Sequence, residues 1–521
     1  MNGLLSWARA RSLGLRVSLR ERPLSTVALA CAVAASIRAG WLVAFVAWRR
    51  LGYRYDLEWM EGGMVDHARR VLDGLPIYVE PSIEWTPYIY NPLYHWLGAL
   101  AMAVLGVGPV ALRVVSVLAT CLLLGLTAWI VRRQTGRWAA GVVACGCFLG
   151  TYELSGGWMD LARVDTTFLA LQAAAVAAAL LGTWPGTLGA GCLLVAAFLA
   201  KQYGVVMAAP IGLYLLVDRG WRHALAFLFI GLGGTALAVW WLNRASGGWY
   251  WFYAYELPAM HPSLHHTLAK FARSHLLLAG PGALSLGIAG LVLALRRAWP
   301  LTRGVSFRKE VTPSVLVVGV IGTLLVQAFA SMNHSGSWQN CLMPLHLGVA
   351  MLVGLAVGAA LEERGEALMV FVAVTLCLQF VAWDFQPQRW IPKKADLQAN
   401  ERIVREAERA GSVLFPHRGY FGSTSTSPGR TSQMALVDIL WAARIEEVER
   451  RLYEQADAWL ASKPYDRIVL DNKDWVFQRQ LERHYRQISE IPYGEGPGHT
   501  PSGYPMRPRV VYAPISGRTA P

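Results

Sequence analysis

Apolar runs close to the length of a membrane-spanning helix recur along this sequence from Leu24 to Trp383, and then stop. A helix needs roughly 20 apolar residues to cross a bilayer, so such a chain cannot fold around one water-surrounded core. About eleven candidate spans can be drawn, near 24–47, 111–131, 138–153, 163–182, 186–200, 203–217, 223–243, 275–296, 313–331, 340–360 and 366–383. Charged residues make up 16% of the chain, where a soluble domain carries about a quarter. The expected fold is an α-helical polytopic membrane protein, cut at residue 384 from a tail of different composition.

The net charge of +14 sits largely in short loops between apolar runs, which excludes nucleic acid as the natural partner. Residues 1–23 carry Arg9, Arg11, Arg16, Arg20 and Arg22 and read as a basic cytoplasmic segment before an uncleaved first span. Further basic loops hold Arg132, Arg133 and Arg137, then Arg219 and Arg222, then Arg296, Arg297, Arg303, Arg308 and Lys309. Basic loops stay in the cytoplasm. Residues 48–110, 154–162, 244–274, 332–339 and the tail 384–521 are then expected outside.

Two stretches of 48–110 read as helices lying at the interface. One is 60–73, ended by Gly74 with Pro76 beyond; the other is 92–107, with Tyr94, His95 and Trp96 at headgroup level. The tail reads as a small α/β domain with strands at 412–417, 467–472 and 509–514. Helices are expected near 395–410, 434–461 and 475–488, with a loose glycine-rich stretch around 494–501. The seven cysteines lie in or beside apolar runs and read as buried small hydrophobes. His261, His265 and His266 lack ligand spacing, so no metal and no cofactor is expected.

The stretch YRYDLEWMEGGMVDHARRVLDGLPIY (53–78) places Asp56, Glu58 and Glu61 just beyond the first span. Moving a sugar from a lipid phosphate to a hydroxyl needs one carboxylate to take the acceptor's proton. It needs no acid on the leaving side, since phosphate departs as a stable anion, and cations stabilise that charge. The cations on offer stand alone at the mouths of apolar helices. Arg163 precedes Asp165 at the start of one, Lys201 joins two runs with no acid within fifteen residues, and Arg113 opens another. Gln202, Asn333 and His334 could hydrogen-bond a sugar, and the aromatic residues of 244–274 suit an interfacial belt.

This order of pieces resembles the GT-C class, and within it the bacterial enzymes related to protein O-mannosyltransferases and to the lipid A aminoarabinose transferase. The likeness rests on Glu61-Gly62, Leu72-Asp73-Gly74-Leu75-Pro76-Ile77-Tyr78, Asn91-Pro92-Leu93-Tyr94, Ala162-Arg163-Val164-Asp165, Ala200-Lys201-Gln202 and Pro344. It covers about residues 24–383. It implies a polyprenyl-phosphate sugar donor, a glycan, lipid or protein hydroxyl as acceptor, inversion at the sugar carbon, and a bacterial inner membrane. Members commonly show adjacent Asp–Glu in the first loop; here Met60 precedes Glu61. Glu61 ranks first as base, then Asp56, then Glu58. By the same carry-over Lys201, Arg163 and Arg113 hold the carrier phosphate, while Asp165, Tyr94, His95, Gln202, Asn333 and His334 line the pocket.

Two other classes compete: a lipid-linked sugar flippase, and a non-catalytic scaffold that binds the carrier. A flippase needs charges along a path through the membrane, whereas here they gather at one face, and no internal repeat is present. An enzyme requires Glu61 or Asp56 to share one cavity with Arg163 and Lys201.

Overall fold

The computed structural model describes residues 22–298, 312–362, 366–420, 432–443, 445–491 and 499–515. Most of the basic N-terminal segment, Arg303, Arg308, Lys309, Gly494, Gly496, Pro497 and Gly498 lie outside the described residues.

The chain is mostly helical. Among the described residues four helices are long and apolar enough to cross a membrane: Pro23–Leu51, Pro109–Thr135, Trp221–Ala245 and Gln339–Glu362. The number rises to six if each of two bent pairs is counted as one span. Leu268–Leu277 turns by 108° into Pro281–Val292, and Glu366–Ala382 by 48° into Pro387–Ala407. Shorter apolar helices fill the bundle: Leu93–Leu105, Trp138–Gly150, Asp165–Leu180, Trp184–Ala200, Gln202–Asp218 and Leu316–Met332. Large apolar side chains face outward, among them Trp41, Trp48, Phe229 and Leu378. Such a surface needs lipid around it.

Small residues let the helices touch. A Cβ on Gly146 would overlap Ser36, and one on Gly358 would overlap Thr135. Close backbone approach of this kind is how helices associate where lipid removes the hydrophobic drive. Met343–Glu362 is thereby buried along nearly its whole length.

The two first-loop helices form at Glu61–Leu72 and Leu93–Leu105. Gly74 takes a left-handed φ of +72°, which ends the first of them as its position suggested.

Four expectations change. The stretch 244–274 is not an open loop, because Tyr250, Tyr253, Ala254 and Leu257 recur at helical spacing and are buried. They form the turns Trp249–Trp251, Phe252–Glu256 and Leu257–Met260, with Leu268–Ala272 and Arg273–Leu277 beyond. The span expected from 275 breaks before Pro281, whose ring cannot continue the preceding helix. Cys31, Cys121 and Cys192 are exposed on the apolar surface, and Cys147 is buried. The fourth change concerns the tail.

The tail holds a four-stranded sheet in the order β1-β2-β4-β3. The strands are β1 (Val413–Leu414), β2 (Arg467–Leu470), β3 (Tyr485–Glu490) and β4 (Val510–Pro514). β1 runs parallel to β2, and β4 is antiparallel to both β2 and β3. Residues 485–488, expected as helix, belong to β3. Only Tyr485 of that strand is buried, so the polar edge carries no alternating pattern. The helix expected over 434–461 is interrupted by a π-helical turn at Asp438–Ala443 before Glu446–Ala461 begins.

The tail rests on the first loop. Ser502 N donates to Leu57 O at 3.0 Å, Asn400 Nδ2 to Tyr53 Oη at 2.9 Å, and Tyr420 Oη to Val107 O at 3.0 Å.

Candidate active site

A cavity of about 650 Å³ opens where the bundle, the first loop and the tail meet. That volume suits a small-molecule ligand, for which pockets run to roughly 300–1,000 Å³. Arg163, Lys201, Gln202 and His334 of the expected residues line it, together with Trp59, Tyr90 and Trp158. The tail supplies Met434, Val437, Asp438, Trp441 and Ala442.

Helix geometry brings Lys201 to its partner. Asp165–Leu180 and Trp184–Ala200 have 16 and 17 residues and pack side by side, joined by a short turn that Thr183 caps. The start of one helix therefore returns beside the end of the other. Asp165, in the first turn, suits the positive end of its helix, and Lys201 follows the negative end of the next. Lys201 Nζ meets Asp165 Oδ1 at 2.9 Å, and Asn340 Nδ2 donates to Oδ2 at 3.1 Å. The lysine that has no acid near it in sequence is paired in space, while its side chain still reaches the cavity. Gln202 Nε2 donates to Ile89 O and Ala254 O, which ties the first loop to 244–274.

Arg163 leaves the tight turns that precede Asp165. Its Nη1 donates to both oxygens of Glu58, at 3.0 and 2.9 Å, and its Nη2 donates to Tyr90 Oη at 2.7 Å. Its Nε has no hydrogen-bond partner among the described residues. The same holds for Trp59 Nε1, Trp158 Nε1, His334 Nε2 and Ser335 Oγ, all on residues of the cavity wall. Buried polar atoms are nearly always satisfied, so a cluster of unsatisfied ones around a cavity points to a polar ligand.

The first-loop acids are placed otherwise than expected. None of Asp56, Glu58 and Glu61 is among the residues that line the cavity. Glu61 is fully buried, and its carboxylate accepts from Arg113 Nε and Nη2 and from the amides of Leu57 and Ala162. Four donors fill its lone-pair sites. Burial pushes this carboxyl up, but Arg113 and these hydrogen bonds outweigh it and hold it below the ordinary range. Glu58 stands behind Arg163, and burial outweighs that pairing, pushing its carboxyl up to about 7. Asp56 is buried on the tail side of the loop with Oδ2 unpartnered, and burial pushes it to about 7 as well.

Arg113 is sealed against Glu61 and away from the cavity. Tyr94 donates to Leu112 O at 3.0 Å and contacts Ser116 Oγ, so it braces two helices. His95 is buried and stacked on His67, with ring centroids 4.8 Å apart. Asn333 accepts from His266 N and fixes its own loop. Sequence reasoning missed Asp438, Trp59 and Trp158 in the wall. Among the described residues no group of three His, Cys, Asp or Glu could hold a metal ion. The condition set for an enzyme is thus met by the two cations and not by Glu61 or Asp56.

This arrangement is a fold shared with two solved structures. The structure superposes on ArnT from Cupriavidus metallidurans bound to undecaprenyl phosphate with a TM-score of 0.57. At 13% identity, the match covers 93% of this chain and 99% of that one. The apo oligosaccharyltransferase of Archaeoglobus fulgidus gives 0.51 at 12% identity, over 92% of this chain and 81% of that one.

In sequence, the model of the dolichyl-phosphate-mannose-protein mannosyltransferase family matches residues 87–242, a stretch that includes Arg163, Asp165 and Lys201. The undecaprenyl phosphate-α-4-amino-4-deoxy-L-arabinose arabinosyl transferase of Pseudomonas aeruginosa is 26% identical over 342 residues. The alignment covers 59% of this chain and 58% of that one. The corresponding protein of Pseudomonas paraeruginosa is 27% identical with the same coverage. The chain thus spans a little under three fifths of the length of the curated relatives it matches.

Proposed function

We propose that this protein transfers a sugar from a polyprenyl-phosphate donor to a hydroxyl of a lipid, glycan or protein at the outer face of a bacterial inner membrane. Inversion at the sugar carbon follows if the hydroxyl displaces the phosphate in a single step. The relatives support the donor class, since their names state an undecaprenyl-phosphate sugar. The observation that carries the reading is the cavity itself. Two cations, each oriented by its own carboxylate, enter the same polar space as four polar atoms, on Trp59, Trp158, His334 and Ser335, that have no partner among the described residues.

Lys201 and Arg163 are the groups we assign to the carrier phosphate. Charge that builds on the leaving phosphate is stabilised best by cations already in place. Asp165 and Glu58 position them, and the indole and hydroxyl donors meet the sugar's oxygens. Glu61 with Arg113 anchors the first loop to the bundle. We assign eleven crossings to the apolar helices, and residues 384–521 to the outer side as an α/β domain. The test is transfer of radiolabelled sugar by the purified protein in lipid, from a panel of polyprenyl-phosphate donors to a membrane extract. Product from one donor supports the reading. Binding without transfer from any donor would replace it with a carrier-binding scaffold.

A further inference from the structure

The transfer just proposed needs a carboxylate that can reach an acceptor hydroxyl, and the first loop does not offer one. Glu61 is saturated by four donors, Glu58 is spanned by Arg163, and Asp56 lies outside the wall. Of the described residues that line the cavity, Asp438 alone carries a carboxylate. Its side chain makes no hydrogen bond or ion pair among the described residues. Its backbone carbonyl, by contrast, is held by His261 Nε2 at 3.0 Å. It is the first residue of the π-helical turn Asp438–Ala443, a conformation that recurs at functional sites. The backbone of this acid is fixed, and the residue forms part of the cavity wall.

We propose that Asp438, contributed by the tail, is the general base of the transfer. This rests on the transferase reading and deepens it. The acceptor oxygen forms a bond to the sugar's anomeric carbon, and its proton passes to an Asp438 carboxylate oxygen. The bond from that carbon to the phosphate oxygen breaks, and its electron pair leaves on the polyprenyl phosphate beside Arg163 and Lys201. Trp441, on the same turn, offers the acceptor an aromatic face. Burial pushes the Asp438 carboxyl up to about 7. A base is most effective when its value lies near the working pH.

The experiment compares the full-length wild type, Asp438→Asn and Glu58→Gln in lipid. Each is assayed for transfer from the donor on which the wild type is active to a membrane extract, and for binding of undecaprenyl phosphate. Loss of a general base costs about 10²–10⁴-fold. Asp438→Asn is expected to lose that much transfer while binding undecaprenyl phosphate within twofold of wild type. Glu58→Gln, which frees Arg163, is expected to change binding as well. Because the Asp438 side chain holds no hydrogen bond or ion pair among the described residues, the variant should fold. As a second measurement, added formate should restore part of the transfer lost in Asp438→Ala. A wild type that transfers beside an Asp438→Asn variant within threefold of it overturns this inference alone. A wild type that transfers from no donor overturns the transferase reading, and this inference with it.

Discussion

The Glu61 carboxylate and the Arg113 guanidinium meet edge to edge, Nε at 3.0 Å from one oxygen and Nη2 at 2.6 Å from the other, and neither side chain is touched by solvent. Removing one partner of such a pair strands a buried charge, at a cost of roughly 3–5 kcal/mol, whereas replacing both is tolerated far better. Glu61→Gln should therefore lower the thermal unfolding midpoint in detergent. The double variant Glu61→Gln, Arg113→Met should recover much of it. An unchanged midpoint with lost transfer would return Glu61 to the chemistry.

Lys201 reaches the cavity while Asp165 holds it at 2.9 Å. A charge-assisted hydrogen bond is worth roughly 1.5–3 kcal/mol, so Lys201→Met should weaken undecaprenyl phosphate binding about 10- to 100-fold. Asp165→Asn should weaken it less, because Asn340 still fixes that side chain. Titration of the lipid phosphate into both variants orders the two effects. Equal affinities in the wild type and Lys201→Met would remove the lysine from the phosphate site.

Asp56 titrates near 7 when folded, against an ordinary value of 3.8, chiefly through burial. Arg418 and Arg113 lower it, while Glu61 and Asp471 raise it. Between those values the folded chain holds a proton that the unfolded chain releases. Its contribution to stability is present at acid pH and is lost as pH rises toward and through 7. Asp56→Asn should melt higher than wild type at pH 8 and no higher at pH 4, with a shallower slope between. Glu58 and Asp438 share the direction, so the slope should not vanish. A midpoint unchanged at pH 8 would show that Asp56 is not the buried acid described.

The tail touches the first-loop helix through bare backbone. A Cβ on Gly419 would overlap Asp66 Oδ2 and stand 2.8 Å from Gly62 C and Gly63 N. Gly419→Ala must push the tail away, since two of the three atoms are main chain. The expected outcome is faster proteolysis of the tail, with transfer falling as Asp438 withdraws. Wild-type cleavage kinetics would mean that the interface yields without separating.

What the sequence made legible follows from what repeats or stands alone. Apolar runs, the Gly74–Pro76 helix stop and the two isolated cations were visible because membrane burial leaves few charges to consider. Asp165 with Lys201 was within reach as well, since two helices of similar length joined by a short turn bring their outer ends together. The sealed setting of Glu61 was not legible, because an acid in a polar loop looks the same in sequence whether Arg113 seals it or water reaches it. Asp438 gave no signal; its importance arises only when the tail docks over the bundle. β3 was hidden by its polar edge, which reads as the continuation of a helix.

β4 lies between β2 and β3 and is made after both. Domains fold as units as the chain emerges, so the sheet of the tail, the domain to which the Asp438–Ala443 turn belongs, closes only once Val510–Pro514 has been made. The bundle with its two cations is synthesised well before that. The order of synthesis therefore sets an order of assembly, with Arg163 and Lys201 made first and the domain that holds Asp438 completed last.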